Sequence, residues 1–570
     1  MRTNRKTEEK KMGMSKNIAR LAVTAGLTAA LSFGGVMAPV TMAFAAEANG
    51  SVTIENVKGN TTEFQGYQIF KADVDSGKVA NITWANDRVE KAVKGVIEKE
   101  DKSYAGKTAQ DAADWITNKV TGTNETTCVA HDNIAYKIAD AVDGLTPSAT
   151  TTSKTASGLA YGYWLFVTKT DTIGVGEAGT SPIFTVVGNT PVKITEKTGI
   201  PTVEKKIVSD ADSKEHDAAD SQIGQDVTYN LYGTVAENFD KYDTYFYQFS
   251  DKISKGLTLQ KGAKVYLYKN RTDAKGDLAR AKGTDITAYF KEETPAEAAE
   301  DGSKTTTWTC DNLKKVSGVT KDSYIVVSYK AQINKDAVVA GTEGNENTVT
   351  LNYSNNPMTS ERGETQPDTV KDYTYGLKIN KVDLGTEAAL DGAEFTIQAT
   401  GADDGASKSL YVQKDGSLGS DPWKIVTANG GVIKVTGLDA GTYTVTEVSA
   451  PSGYAKVDPF TFEIKPSMNA DDPGAGLTKL TGVLTTDQND KVIAGLTDGD
   501  SGDNKLALKP DSEKTDGIFN ITVGDTKQVG LPLTGLNGVT FTWIAGGAVL
   551  CIGVAHLIRS RRQAEESEQE

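Results

Sequence analysis

The sequence predicts a mainly β protein: three β-sandwich domains in series, the first carrying a helical insertion. Three observations lead there. The chain between its two ends is rich in Thr, Val, Gly and Tyr, and 570 residues hold three domains of ordinary size plus terminal segments. Many short runs alternate apolar and polar residues between turn residues, as in 324–329, 348–353 and 441–446, which is the pattern of half-buried strands. Helical spacing is confined to one region, over 87–97, 109–120 and 134–142.

The elements follow in chain order. Arg2, Arg5, Lys6, Lys10, Lys11, Lys16 and Arg20 precede an apolar run over 21–33, and Ala43-Phe44-Ala45 fits a signal-peptidase site. The apolar run is too short and glycine-broken to span a bilayer, so residues 1–46 read as a cleaved signal peptide and the rest as secreted. The first domain occupies 47–197. The stretch 196–201, ending in Pro201, reads as an extended junction, and the second domain occupies 198–370. The stretch 361–371, with Pro367, is a second junction, and the third domain covers 371–529. Rich in Asp, Gly and Asn, 471–514 reads as long loops inside it.

Composition excludes several classes of function. A net charge of −15 and a pI near 5.0, with no basic stripe, argue against nucleic acid as partner. His131, His216 and His556 are scattered, so no metal site is expected. No phosphate-binding loop, nucleophile elbow or dinucleotide fingerprint occurs, so the reading is of a protein that is not an enzyme and needs no cofactor. Cys128 and Cys310 fall in different domains and Cys551 in the C-terminal apolar segment, so mechanical strength must come from something other than disulfides.

The C-terminal 530–570 holds Leu531, Pro532, Leu533, Thr534 and Gly535, then an apolar segment over 539–558 long enough for a membrane helix, then Arg559, Arg561 and Arg562. This order resembles the LPXTG sorting signal of Gram-positive surface proteins. The resemblance implies that a sortase thiolate attacks the Thr534 carbonyl, breaks the Thr534–Gly535 bond and passes the acyl group to an amine. It places the protein at the Gram-positive cell surface, joined to peptidoglycan.

The two-residue period of strands directs unusual side chains inward. Lys381 shares a face with Leu377 and Ile379, Glu447 with Tyr443 and Val445, and Asp525 with Phe519, Ile521 and Val523, leaving Asn520 outward. In the second domain Lys205 shares a face with Val203 and Ile207, and Asp251 is directed inward. Asn347 and Asn355 both lie on the face of Val349, Leu351 and Tyr353. Burial favours a neutral amine and a protonated acid, which makes the one nucleophilic and the other a proton shuttle. A buried ion network is the plainer alternative.

The stretch 446–454, Thr-Glu-Val-Ser-Ala-Pro-Ser-Gly-Tyr, resembles the E-box of collagen-adhesin B-type (Cna-B, Ig-like) domains of sortase-assembled pilins. The segment 344–356 resembles the fimbrial isopeptide-forming D2 domain. The resemblance implies intramolecular isopeptide bonds, Lys205 to Asn347 (preferred) or Asn355 with Asp251 as catalytic acid, and Lys381 to Asp525 with Glu447. Each would tie the first strand of a domain to its last. Asp525 stands in Val-Gly-Asp-Thr-Lys where most members have Asn, so water replaces ammonia as leaving group. It further implies a pilus subunit supporting adhesion. The expected partners are a class C-type pilus sortase, a housekeeping sortase, other pilin subunits, peptidoglycan and host-surface ligands. Shaft pilins carry a polymerising lysine in a Tyr-Pro-Lys-Asn context. That motif is absent, and Lys197 or Lys193 are the candidates. A monomeric wall-anchored adhesin, or an accessory or basal pilin, is the alternative reading.

Overall fold

The computed structural model describes residues 49–55, 61–75, 78–120, 133–152, 154–180, 182–195, 199–339, 343–400, 409–472, 474, 476–484, 492–495 and 518–528. Strands dominate, gathered in three successive pairs of sheets. In the first pair, Gly50–Glu55 lies antiparallel to Thr155–Leu159 and parallel to Val192–Thr195. The facing sheet runs Lys78–Trp84, Glu63–Asp75, Gly162–Lys169, Ile183–Val187. Helices Asp87–Glu100, Ala109–Val120 and Ile134–Asp143 sit between its strands in sequence. Val89, Val93 and Ile97 recur at helical spacing and pack with Ile116, Ile138 and Val142 against Tyr67 and Ile69. Asn86 and Asn133 cap two of these helices, accepting from the orphan N–H groups of the first turn.

The second pair forms a sandwich with seven strands in each sheet. One sheet holds Val203–Val208, Asp226–Thr234, Tyr324–Ile333 and Lys264–Tyr268 in that order. The other holds Asp368–Tyr373, Asn345–Ser354, Tyr247–Ile253 and Lys304–Cys310. Tyr229, Leu231, Phe249, Trp308, Val327, Val349 and Leu351 meet between them in one apolar core. In the third pair, Tyr375–Asp383 runs parallel to Ile518–Lys527 and antiparallel to Val432–Leu438. The facing sheet is built on Glu394–Ala399, Gly441–Ser449 and Phe460–Met468. Leu377, Ile379, Phe395, Val445, Phe462 and Ile521 fill that core.

Several sequence expectations are corrected here. The stretch 471–514 is not all loop. Leu477–Leu484 pairs with Phe460–Met468, and Val492–Gly495 pairs with Ile518–Lys527, each extending an existing sheet edge. The stretch 361–371 is not a free junction: Arg362–Glu364 and most of Asp368–Tyr373 belong to the second sandwich, paired with Asn345–Ser354. The strand carrying Asn347 is therefore not the last of its sandwich. Asn520 is nonetheless only 8% exposed, in a strand paired along both edges. No helix among the described residues is long and apolar enough to cross a membrane, and 539–558 lies outside them.

Candidate functional site

Each of the second and third sandwiches buries a lysine completely. An unpaired ammonium in such a place is costly, so its surroundings should explain it. Lys205 enters from Val203–Val208, where Leu231 is its register partner on Asp226–Thr234. Its Nζ donates to Asp251 Oδ1 and, at 3.0 Å, to the Tyr329 hydroxyl. Tyr329 donates to Asp251 Oδ2 at 2.5 Å and accepts from Asn347 Nδ2 at 2.7 Å. Lys205 and Tyr329 come from one sheet, Asp251 and Asn347 from the facing one. The ammonium lies 5.6 Å from the ring centre of Tyr229 and 5.5 Å from that of Tyr329, whose rings stack. Burial pushes the Lys205 ammonium down to about 8 against the opposing pull of Asp251. An appreciable fraction of the amine is then neutral, and so nucleophilic, near pH 7.

The third sandwich repeats the arrangement with different neighbours. Lys381 Nζ donates to Asp525 Oδ1 and, at 3.2 Å, to Glu447 Oε2, and all three side chains are fully buried. Lys381 and Asp525 sit on adjacent parallel strands, where Lys381 registers with Val523 and Asp383 with Asp525. Glu447 reaches in from the other sheet and accepts the Val457 N–H at 2.8 Å. Burial pushes the Asp525 carboxyl up to about 6, with Lys381 opposing and Glu447 adding to the rise. The Phe395 ring centre lies 5.6 Å from Lys381 Nζ.

Of the two candidate amides, Asn347 joins the Lys205 cluster and Asn355 does not. Asn355 lies just past the far end of the same strand, where its carbonyl accepts the Gly179 N–H of the first domain. Lys193 is exposed on Val192–Thr195, beside Thr53. Lys197 and the pentapeptide Leu531 to Gly535 lie outside the described residues. Cys310 is a free, buried thiol. Among the described residues no group of His, Cys, Asp and Glu could hold a metal. Sequence reasoning missed Tyr329. Alternation along Tyr324–Ile333 marks it as inward, but not as the meeting point of three polar side chains.

Two further polar constellations join neighbouring sandwiches. Glu177, 5% exposed, accepts from the amides and hydroxyls of Thr61 and Thr62 and from the Gly174 amide. Tyr353 of the second domain donates to the Glu177 carbonyl at 3.0 Å. At the other junction Gln222 reaches into the third domain and donates to the carbonyls of Gly416 and Gly437. Its own carbonyl accepts the Asp439 N–H at 3.2 Å, and Ile223 N–H donates to the Gly437 carbonyl at 2.9 Å.

The fold is a series of β-sandwiches, two of them with a lysine, an acid and an amide or second acid at the core. Residues 223–357 match the family described as Gram-positive pilin backbone subunit 2, Cna-B-like domain, and residues 375–472 match SpaA, prealbumin-like fold domain. Two stretches of the chain thus match domain families, one of them described as a Gram-positive pilin backbone domain. It is 26% identical over 285 residues to the trypsin-resistant surface T6 protein of Streptococcus pyogenes serotype M6; the match covers 47% of this chain and 46% of that protein, so about half the length of that relative is spanned. Among solved structures, the T6 backbone pilin of the same organism aligns at TM-score 0.47 with 16% identity, covering 84% of this chain and 98% of that one. The major pilin SpaD of Corynebacterium diphtheriae aligns at TM-score 0.44 with 18% identity and the same coverages.

Proposed function

We propose that this chain is a structural subunit of a sortase-assembled pilus, held together internally by two Lys–Asn/Asp isopeptide bonds. The observation that carries the reading is the pair of fully buried lysines, each against an acid and a carbonyl acceptor, in domains that match pilin families. In the second domain Lys205 Nζ attacks Asn347 Cγ and ammonia leaves. In the third, Lys381 Nζ attacks Asp525 Cγ and water leaves. Asp251 and Glu447 move the protons. Enclosure supports the chemistry, since burial favours the neutral forms and holds the reactants together.

The sorting pentapeptide supports attachment through Thr534. A pilus sortase transfers that carbonyl to a lysine of the next subunit, Lys197 or Lys193, and a housekeeping sortase transfers the last one to peptidoglycan at the cell surface. Other pilin subunits and host-surface ligands are the remaining partners. The absence of the Tyr-Pro-Lys-Asn motif favours a second reading, a wall-anchored adhesin or an accessory or basal pilin that does not polymerise.

A cell-wall extract boiled in detergent separates the two. A polymer gives a high-mass ladder that disappears in the Lys193→Ala, Lys197→Ala double variant while monomer stays anchored. A single band from wild type excludes polymerisation. Thr534→Ala is expected to leave full-length protein in the membrane or medium, and wall attachment surviving that change would refute sorting at Thr534.

A further inference from the structure

The two lysine clusters are not wired alike. In the third domain both carboxyls that act on the reaction touch Lys381 directly. In the second domain the acid touches the lysine but not the amide that must lose its nitrogen. Among the described residues, the one hydrogen-bond partner of Asn347 Nδ2 is Tyr329, and Tyr329 is also bonded to Asp251 Oδ2 and to Lys205 Nζ. A leaving amide nitrogen has to gain a proton, because amide anion is far too basic to depart.

Resting on the isopeptide reading above, we infer that Tyr329 is a catalytic residue of the second domain, the proton bridge between Asp251 and the departing nitrogen of Asn347. Starting from ammonium and carboxylate, Asp251 removes one proton from Lys205 Nζ, freeing the lone pair. Nζ bonds to Asn347 Cγ and gives up a second proton through Asp251. One of the two passes from Asp251 Oδ2 to the Tyr329 oxygen as the phenol delivers its own proton to Nδ2. The Cγ–Nδ2 bond breaks, ammonia leaves, Tyr329 is regenerated and Asp251 ends protonated.

The surroundings of Tyr329 suit this role. Tyr329 is 2% exposed and held between Tyr229, 5.5 Å away between ring centres, and Trp308, 5.2 Å away. Burial keeps its phenol well above the usual tyrosine range, so it stays protonated and available as a donor. The third domain needs no counterpart, because Glu447 and Asp525 both lie at the amine, and an apolar ring, Phe395, flanks Lys381.

The test follows bond formation by intact mass after a pulse of cell-free synthesis of the full secreted portion. Loss of water from the third domain serves as an internal clock for folding. Wild type is expected to lose one ammonia and one water. Tyr329→Phe is expected to lose the water on time and the ammonia at least about tenfold more slowly. Ammonia loss at the wild-type rate in Tyr329→Phe overturns the inference. A second variant guards against a mere packing defect: 3-fluorotyrosine at 329 keeps the shape and lowers the phenol's basicity. It is expected to change the rate of ammonia loss while leaving that of water loss unchanged, and an unchanged rate overturns the inference. A wild-type mass that retains the ammonia overturns the isopeptide reading of this domain itself, an outcome distinct from either variant result.

Discussion

Lys205 and Lys381 are each enclosed in an apolar core whose other members would be more stable beside a leucine. A buried ion pair alone seldom returns the desolvation it costs, and replacing such pairs by apolar residues is often neutral or stabilising. A covalent link changes that balance. It restricts the unfolded chain as a disulfide over a long loop does, contributing up to ~5 kcal/mol before strain. Asp251→Ala is expected to restore the mass of one ammonia, and Glu447→Ala that of one water. Each should lower the melting temperature of its own domain by on the order of 10 °C. Unchanged masses beside lowered melting temperatures would show ion networks and no bonds. The inward placement of Lys205, Asp251, Lys381, Glu447 and Asp525 was legible from the two-residue period, because an inward charge in an alternating run is conspicuous, whereas the period put Asn347 and Asn355 on one face and only the family resemblance preferred Asn347. Tyr329 was not legible: a tyrosine on an inward face is ordinary, and its role depends on strands brought together from opposite sheets.

At the scale of elements, the segment around Glu177 binds the first domain to the second. Burial pushes the Glu177 carboxyl up, but hydrogen bonds from Thr62, Thr61 and Gly174 outweigh it and hold the group down at about 2. In the unfolded chain the same group titrates near ~4.3. The folded pKa is depressed, so the contribution is complete above ~4.3 and is lost as pH falls towards 2. Melting of the first domain between pH 5 and 2 should show this slope, and Glu177→Gln should flatten it while costing roughly 1–3 kcal/mol at pH 7. An equal slope in both proteins would assign the acid sensitivity elsewhere. The helices here were readable from apolar spacing at three and four residues. The strands Leu477–Leu484 and Val492–Gly495 were hidden, because neither alternates cleanly, Asp, Gly and Asn surround them, and each depends on a sheet edge supplied from elsewhere.

Gly437 fixes a second element, the socket that receives Ile223. Its φ is +89°, and a Cβ there would meet Ile223 Cδ1 at 2.0 Å and Cβ at 2.8 Å. Gly430 has a similar φ of +95° with nothing within 4 Å. Gly437→Ala should therefore destabilise the joined second and third domains by roughly 1–3 kcal/mol from overpacking, in addition to the backbone strain that Gly430→Ala suffers alone. Calorimetry of the two variants separates contact from strain, and equal losses would remove the socket from the account.

Across the whole molecule, the joint between the second and third domains encloses carboxyl groups with one another for company. Asp372 and Asp439 are fully buried and Asp220 nearly so. Ser221 and Tyr229 donate to Asp372, and Ala440 N–H donates to Asp439. Tyr375 and Tyr443 line the same space, and Asp210 adds further negative charge. Burial first, then neighbouring carboxyls, hold Asp372 and Asp439 well above the usual range. None of this was legible in the sequence, because Gln222 and Gly437 are separated by 215 positions and meet only when both sandwiches are complete. The sign is opposite to that of Glu177. With folded values raised above an unfolded ~3.9, the folded joint binds more protons, so its stability falls as pH rises from ~3.9 through the raised range. The joint should be tighter at pH 5 than at pH 8, opposing the acid loss at the first junction. Asp439→Asn keeps the shape and the Ala440 contact without the charge. It is expected to stabilise the joint at pH 8 by roughly 1 kcal/mol or more, one pKa unit being worth about 1.4, and to weaken its pH dependence. Hydrogen exchange at the Ile223 amide, which donates to the Gly437 carbonyl at 2.9 Å, reads the joint directly once intrinsic rates are removed. Protection that is equal at pH 5 and 8 in wild type, or lower in Asp439→Asn at pH 8, would mean that these carboxyls do not govern how rigidly successive domains are held.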